Sequence, residues 1–428
     1  MRASSLRTAI GVVSLLFAGI GAALVACSSD KASVGGSPDA SEGAAFEAAA
    51  SDSGDASVQP DVSPTTEGSS DAVFEAPAPD GEAEAEGDGA SDAGPGFAEG
   101  GGFAGDCGVG PAGEPTDLRC TGLYSDWAAK TVSTDALPYT PGLVLWSDGA
   151  DKSRWIALPA GQKIDTSDMD EWTFPVGTKI WKEFRLALAD ASTTETRIET
   201  RLLWKQNAST WLRTTYRWTA DGVSDATELT DGELEVDGTS YEVPNQTECN
   251  QCHNGRLDGV LGFEAVALSS PAASGLTMQA LVTQKLLTAP PTAPLVVPGD
   301  AIESAALGWM HMNCGTSCHN GGNGSGRVSG FLTRLDVAML ASVKTTDTYT
   351  TGWNVPTQNF TIADAAVTYR LHACDTGSSA AYTRSAVRTG VDGTPSNVQM
   401  PSIDTHQVDQ PDLAAMGAWI DHGCDAGP

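Results

Sequence analysis

The chain has 428 residues, with 55 acidic side chains against 24 basic ones and a net charge of −31. So negative a balance argues against nucleic acid as a partner, because phosphate backbones are held by basic surfaces. After its first 27 residues no apolar run approaches the length needed to span a bilayer.

Residues 1–27 read as an export signal. Arg2 and Arg7 precede an apolar stretch from Ala9 to Val25, too short and too abruptly ended to be a membrane helix. It closes on Leu24-Val25-Ala26-Cys27, which resembles a bacterial lipobox; Cys27 is then the lipidated first residue of the mature protein. Ser28 in place of aspartate favours the outer membrane, at its periplasmic face or at the cell surface. Residues 28–106 hold 18 acidic residues against one lysine, amid alanine, glycine, serine and proline. Such a composition cannot bury enough apolar surface to offset its ordering entropy. It is expected to be a disordered tether, spanning on the order of 50 Å as a flexible coil.

The remaining 320 or so residues are enough for two domains. After a short lead-in, residues 135–245 look all-β, and the whole 107–245 stretch is taken as one β-rich domain. In "RIETRLLWKQ" Ile198, Thr200, Leu202 and Trp204 alternate on one face. "TWLRTTYRWT" repeats this with Leu212, Thr214, Tyr216 and Trp218, and puts Arg213 and Arg217 on the other face. Turn signals recur in "SDGAD", "PAGQ", "TADG" and "VDGT". The pattern predicts an antiparallel sandwich or barrel.

At Pro244 the character changes. Residues 246–298 contain "CNQCH" and then a helical pattern with Leu276, Ala280, Leu281 and Leu287 on its apolar face. Residues 299–428 begin with a helix at Asp300, an N-cap with Glu303 three residues on. That helix runs into "CGTSCH", and a glycine-rich loop leaves it. Asp409 to Gly423 forms a last amphipathic helix presenting Leu413, Met416, Trp419 and Ile420. The expected class is thus α+β and multidomain: a β domain, then a mostly helical region, behind a disordered tether.

Nine cysteines distribute tellingly. Cys27 belongs to the leader, and four lie in the two clusters. Cys107, Cys120, Cys374 and Cys424 remain, an even number in an oxidising compartment. Three connectivities are open; Cys107–Cys120, close in sequence, and Cys374–Cys424, which ties a late segment to the last helix, are the pairs expected.

Cys249, Cys252 and His253 match the pattern of a c-type haem, whose two vinyl groups take two thiols and whose iron takes the next histidine. A structural zinc site wants four sulfur or nitrogen ligands and does not require that histidine. A thioredoxin-like pair would open a helix in a parallel α/β unit, and none is visible. Cys314, Cys318 and His319 place three residues between the thiols, a rarer spacing. A leading helix, a later Met400-Pro401 and a terminal helix give this segment the order of a class I cytochrome c. Met400 is accordingly the candidate distal ligand there, with His319 proximal. For the first site, His311 is a candidate distal ligand and Met278 a rival. His372, His406 and His422 read as surface or haem-edge residues, and Met310 and Met312 as core.

From about Tyr124 to Gly423 the chain resembles a family of exported bacterial dihaem c-type cytochromes. The stretches that carry this are "LWSDGADKSRWIALPAG", "WTFPVGTKIWKEF", "RIETRLLWK", "YRW", "YEVPNQTECNQCHNG", "VLGFEAVALS", "LGWMHMNCGTSCHNGG" and "MPSIDTHQVD…AWI". The chain departs from the family in the extra residue between Cys314 and Cys318 and in an insert carrying His372 and Cys374. The resemblance implies a β domain followed by a cytochrome region with two covalent haems. The expected function is electron transfer between redox proteins of the cell envelope. A dihaem peroxidase-like enzyme with one five-coordinate iron, and a polymer-binding β module with accessory haems, are the alternatives.

Overall fold

Strands form where the sequence alternates, and all but two of them collect into one sheet. The computed structural model describes residues 107–188, 195–358, 367–388 and 398–424. The leader, Cys27 and the 28–106 tether lie outside the described residues. Strands β1 (Tyr124–Asp126) and β2 (Thr131–Val132) pair as a small ribbon. Then β3 (Leu137–Thr140), β4 (Asp151–Ala157), β5 (Lys179–Leu186), β6 (Thr196–Lys205), β7 (Trp211–Trp218) and β8 (Ala226–Glu228) run as an antiparallel meander. The late β9 (Ser274–Gly275) returns to pair with β3 and completes seven strands.

The antiparallel β-rich expectation holds, and the sandwich or barrel is corrected to one seven-stranded sheet beside a two-stranded ribbon, with layers over the large sheet made by loops and helices. One face carries Trp181, Leu202, Trp204, Leu212, Tyr216 and Trp218, covered by Leu118 and Leu123 from the lead-in. Trp127 stacks on Trp218 with centroids 5.2 Å apart. On the other face Ile156, Ile180 and Leu203 meet Val260, Phe263, Leu268 and Leu281 from the chain that follows the sheet. Each such side chain contributes about 1.5–3 kcal/mol by leaving water. Ile198 breaks the expected alternation. The β5–β6 register passes from Phe184↔Glu199 to Arg185↔Arg197, skipping it, and it joins Phe184, Leu186 and Tyr241.

The helices are α1 (Gln246–His253), α2 (Ala265–Ser269), α3 (Met278–Thr283), α4 (Ala301–Met310), α5 (Asp347–Gly352), α6 (Ala380–Ser385) and α7 (Gln410–His422). α4 opens with the expected reciprocal cap: Asp300 accepts from the Ile302 and Glu303 amides, and Glu303 accepts from the Asp300 amide. α4 packs on α7 through Leu307 and Met310 against Leu413, Met416 and Ile420. The Trp309 indole donates to Asp409, the N-cap of α7, at 3.1 Å. Both expected disulfides are present, Cys107–Cys120 and Cys374–Cys424. Every described residue falls in one compact unit, Gly89–Pro428. Among them, no helix is long and apolar enough to cross a membrane.

Candidate functional site

The first cysteine pair sits on a helix that its own sequence caps. Asn245 accepts hydrogen bonds from the Thr247 and Glu248 amides, and Glu248 accepts from the Asn245 amide at 2.8 Å. Spacings of three and four residues then put Cys249, Cys252 and His253 on one side of α1. His253 Nδ1 bonds the Gly259 carbonyl at 2.5 Å. Gly259 has φ +64, and a Cβ there would stand 2.3 Å from the His253 carbonyl, so only glycine lets the loop fold back this tightly. Asp258 pins the same loop to the sheet: it accepts from Lys205 at 2.6 Å, from the Phe174 amide at 2.7 Å and from the Trp211 indole at 3.1 Å. Burial, with the charges of Lys182 and Arg213, pushes the His253 pKa down to about 3. The ring is therefore neutral near pH 7 and its Nε2 lone pair is available.

The second pair absorbs its extra residue in wide turns. α4 passes into a π-helical turn over His311–Gly315. The Thr316 amide bonds the His311 carbonyl and the His319 amide bonds the Cys314 carbonyl, each five residues back, where α1 closes over four. His319 Nδ1 bonds the Phe331 carbonyl at 2.9 Å, and burial lowers its pKa too. The glycine loop wraps this ring closely, since a Cβ on Gly326 would lie 2.8 Å from it. Among the described residues, Nε2 of neither His253 nor His319 has a hydrogen-bond partner.

The two segments meet. A Cβ on Gly255 would fall 1.8 Å from the Ser317 carbonyl, so the loop behind the first histidine lies directly on the second cysteine turn. Both segments line one cavity of about 460 Å³, with Cys249, Cys252, His253, Cys314, Cys318 and His319 all in its wall. Met310, Met400 and Met416 line it as well. All four thiols are unpaired. Burial pushes those of Cys252 and Cys314 up to about 12 and that of Cys249 up, so they are thiols and not activated thiolates. The donor set of two thiols and one free imidazole nitrogen, present twice, fits a c-type haem at each segment better than one shared tetrahedral metal.

The sheet contributes to the wall through Lys152, Arg154, Lys182 and Arg201. These cations were not anticipated, because their positions have no common spacing in sequence; only strand register aligns them. Three carboxylates, of Glu242, Glu248 and Asp404, also come within 4.8 Å of one another in the cavity wall. Glu248 is engaged in capping α1 and Glu242 with His406 at 2.7 Å, while burial pushes Asp404 up to about 6.

The other expected residues lie elsewhere. His311 is buried outside the cavity wall. Its Nδ1 accepts from the Leu335 amide at 2.9 Å, so Nε2 carries the proton and faces Glu264 at 3.4 Å. That leaves no free nitrogen for a metal, and the candidate distal role is corrected to a structural one. Met278 is packed in the sheet-facing core, away from the cavity. Met312 is fully buried, and His372 stacks on Tyr369 at 4.1 Å. His422 approaches Asp300 at 3.6 Å. No protein-family model, curated protein or solved structure matches this chain.

Proposed function

We propose that this protein is a c-type cytochrome that holds two covalent haems and passes electrons between redox proteins of the bacterial cell envelope, anchored there by a lipid on Cys27. The observation that carries the reading is the repeated donor set. Two cysteine pairs, unlike the other four described cysteines, are left as thiols in one cavity wall, and each is followed by a histidine whose Nδ1 is held by a carbonyl and whose Nε2 is unpartnered. Cys249 and Cys252 would hold one haem and Cys314 and Cys318 the other, with His253 and His319 as proximal ligands. Haem bound in this way supplies reversible one-electron chemistry.

Three methionines, Met310, Met400 and Met416, line the same wall and would offer thioether sulfurs to bound haem, which favours a carrier over the peroxidase-like alternative that needs an open position. Met400 is the ligand proposed for the haem at His319. The cysteine turn directly after α4, and the packing of α4 on α7, support a class I-like arrangement for 299–428.

Denaturing mass spectrometry of the purified exported protein tests the reading, with the chain plus two haems expected. A mass for fewer than two haems would overturn it. Met400→Ala is expected to keep both haems and lose the methionine–iron absorption band; a band that persists assigns the sulfur ligand to Met310 or Met416.

A further inference from the structure

The sheet brings three cations into direct register on the cavity face. Arg154 of β4 lies opposite Lys182 of β5, and Lys182 lies opposite Arg201 of β6. All three line the cavity, as does Lys152, two residues before Arg154. Arg154 and Lys182 are only 6% and 8% exposed. Like charges directly opposite across strands are destabilising, and buried charge is costly unless it is paired.

The compensation within the chain is incomplete. Arg201 has Glu199 at 2.6 Å, and that carboxylate also accepts from the Tyr241 hydroxyl. Lys182 reaches the Leu261 carbonyl at 3.0 Å and Lys152 the Leu145 carbonyl. Arg154 has a bond to the Lys152 carbonyl at 3.5 Å. Carbonyls satisfy N–H groups but do not neutralise charge. Burial, with the charges of Arg154 and Arg201, pushes the Lys182 amine down to about 7.

The row also belongs to one of the two cysteine segments. α1 lies against the same sheet, where Arg213 of β7 donates to Asn250 at 2.9 Å, and Lys182 itself donates to the Leu261 carbonyl, two residues past Gly259, whose carbonyl holds His253. Three strands at 4.7–4.9 Å spacing make the row about 10 Å wide. That width suits two carboxylates carried on one rigid group better than one small oxyanion.

We propose that Arg154, Lys182 and Arg201 are the seat of the propionate carboxylates of the haem on Cys249 and Cys252, so that the β sheet supplies that haem's counter-charge. The inference rests on the dihaem reading above. A diffusible inorganic oxyanion is the other source of the same chemistry, and the test separates the two.

In the full-length dihaem protein, Arg154→Met and Lys182→Met are each expected to lower the midpoint potential of one haem and leave the other unchanged, because removing a nearby cation favours the ferric state. The propionate bending band in resonance Raman should shift in the same variants. Arg154→Lys and Lys182→Arg, which keep the charge, should stay near the wild-type potential and guard against a variant that simply folds badly. Sulfate and nitrite should leave the wild-type potentials unchanged, the row being already filled. Full haem content with unaltered potentials in both methionine variants would overturn the proposal, as would a saturable shift on adding either anion. A mass for fewer than two haems would instead overturn the dihaem reading itself.

Discussion

Glu264 caps α2 by accepting from the Val266 and Ala267 amides, and it does so at only 4% exposure. Burial alone would raise its pKa. The His311 hydrogen bond, the Arg256 charge and the Val266 amide outweigh burial and hold it at about 2. A carboxylate depressed on folding adds stability that is complete above its unfolded pKa and is lost as pH falls through the folded one. The window here runs from about 4.5 down to about 2, and the shift corresponds to about 3 kcal/mol. Glu264→Gln should therefore be less stable than wild type near pH 7 by up to that amount. Urea denaturation at a series of pH values should find the gap closing across the window. A gap independent of pH would assign the effect to the cap and not to the charge. Little of this was legible in the sequence: His311 attracted attention by lying three residues before Cys314, but its partners Leu335 and Glu264 come from distant segments.

Between elements, the clearest join is the buried pair of Lys205, at the end of β6, and Asp258, in the loop behind α1. Lys205 is 1% exposed and Asp258 7%. Removing one partner strands the other charge, which costs about 3–5 kcal/mol, whereas removing both can cost far less. Asp258→Asn and Lys205→Met should each destabilise by about that much, and the double variant by clearly less than their sum. A double-mutant cycle in chemical denaturation reads this directly, and additive losses would sink the coupling. At this scale the sequence was partly readable. Alternating Trp204, Leu212, Tyr216 and Trp218 did mark one face, and Asp300 with Glu303 did mark the start of α4. α1 escaped notice although Asn245 and Glu248 have the capping spacing, because the cysteines that follow them drew the reading. The π turn at His311–Gly315 leaves no local pattern: it is the way one extra residue is stored while His319 still reaches Phe331.

Across the whole molecule, the change in character at Pro244 suggested a boundary where the fold has none. Asp148, beside the sheet, accepts from the His406 and Gln407 amides, and the Trp146 indole donates to the Gln407 carbonyl at 2.9 Å. The Trp146 amide meets Asn313 at 2.7 Å. Partners 167 to 261 residues apart cannot be read from periodicity, and they make sheet and helices one unit. Cys374–Cys424 adds a covalent tie of the same kind, fastening the end of α7, whose Met416 lines the cavity, to a segment 50 residues earlier. In the chain-entropy account, closing a loop of that size removes about 4 kcal/mol of unfolded-state freedom, against about 3 kcal/mol for the 13-residue Cys107–Cys120 loop. Replacing both members of a pair by serine should therefore lower the denaturation midpoint more for Cys374/Cys424 than for Cys107/Cys120. The difference should be greater still if α7 closes the cavity, because loosening it exposes the α4–α7 core of Leu307, Met310, Leu413 and Ile420 as well. Equal losses in the two double-serine variants would overturn the ordering by loop size, and no loss at Cys374/Cys424 would mean that non-covalent packing alone holds the last helix in place.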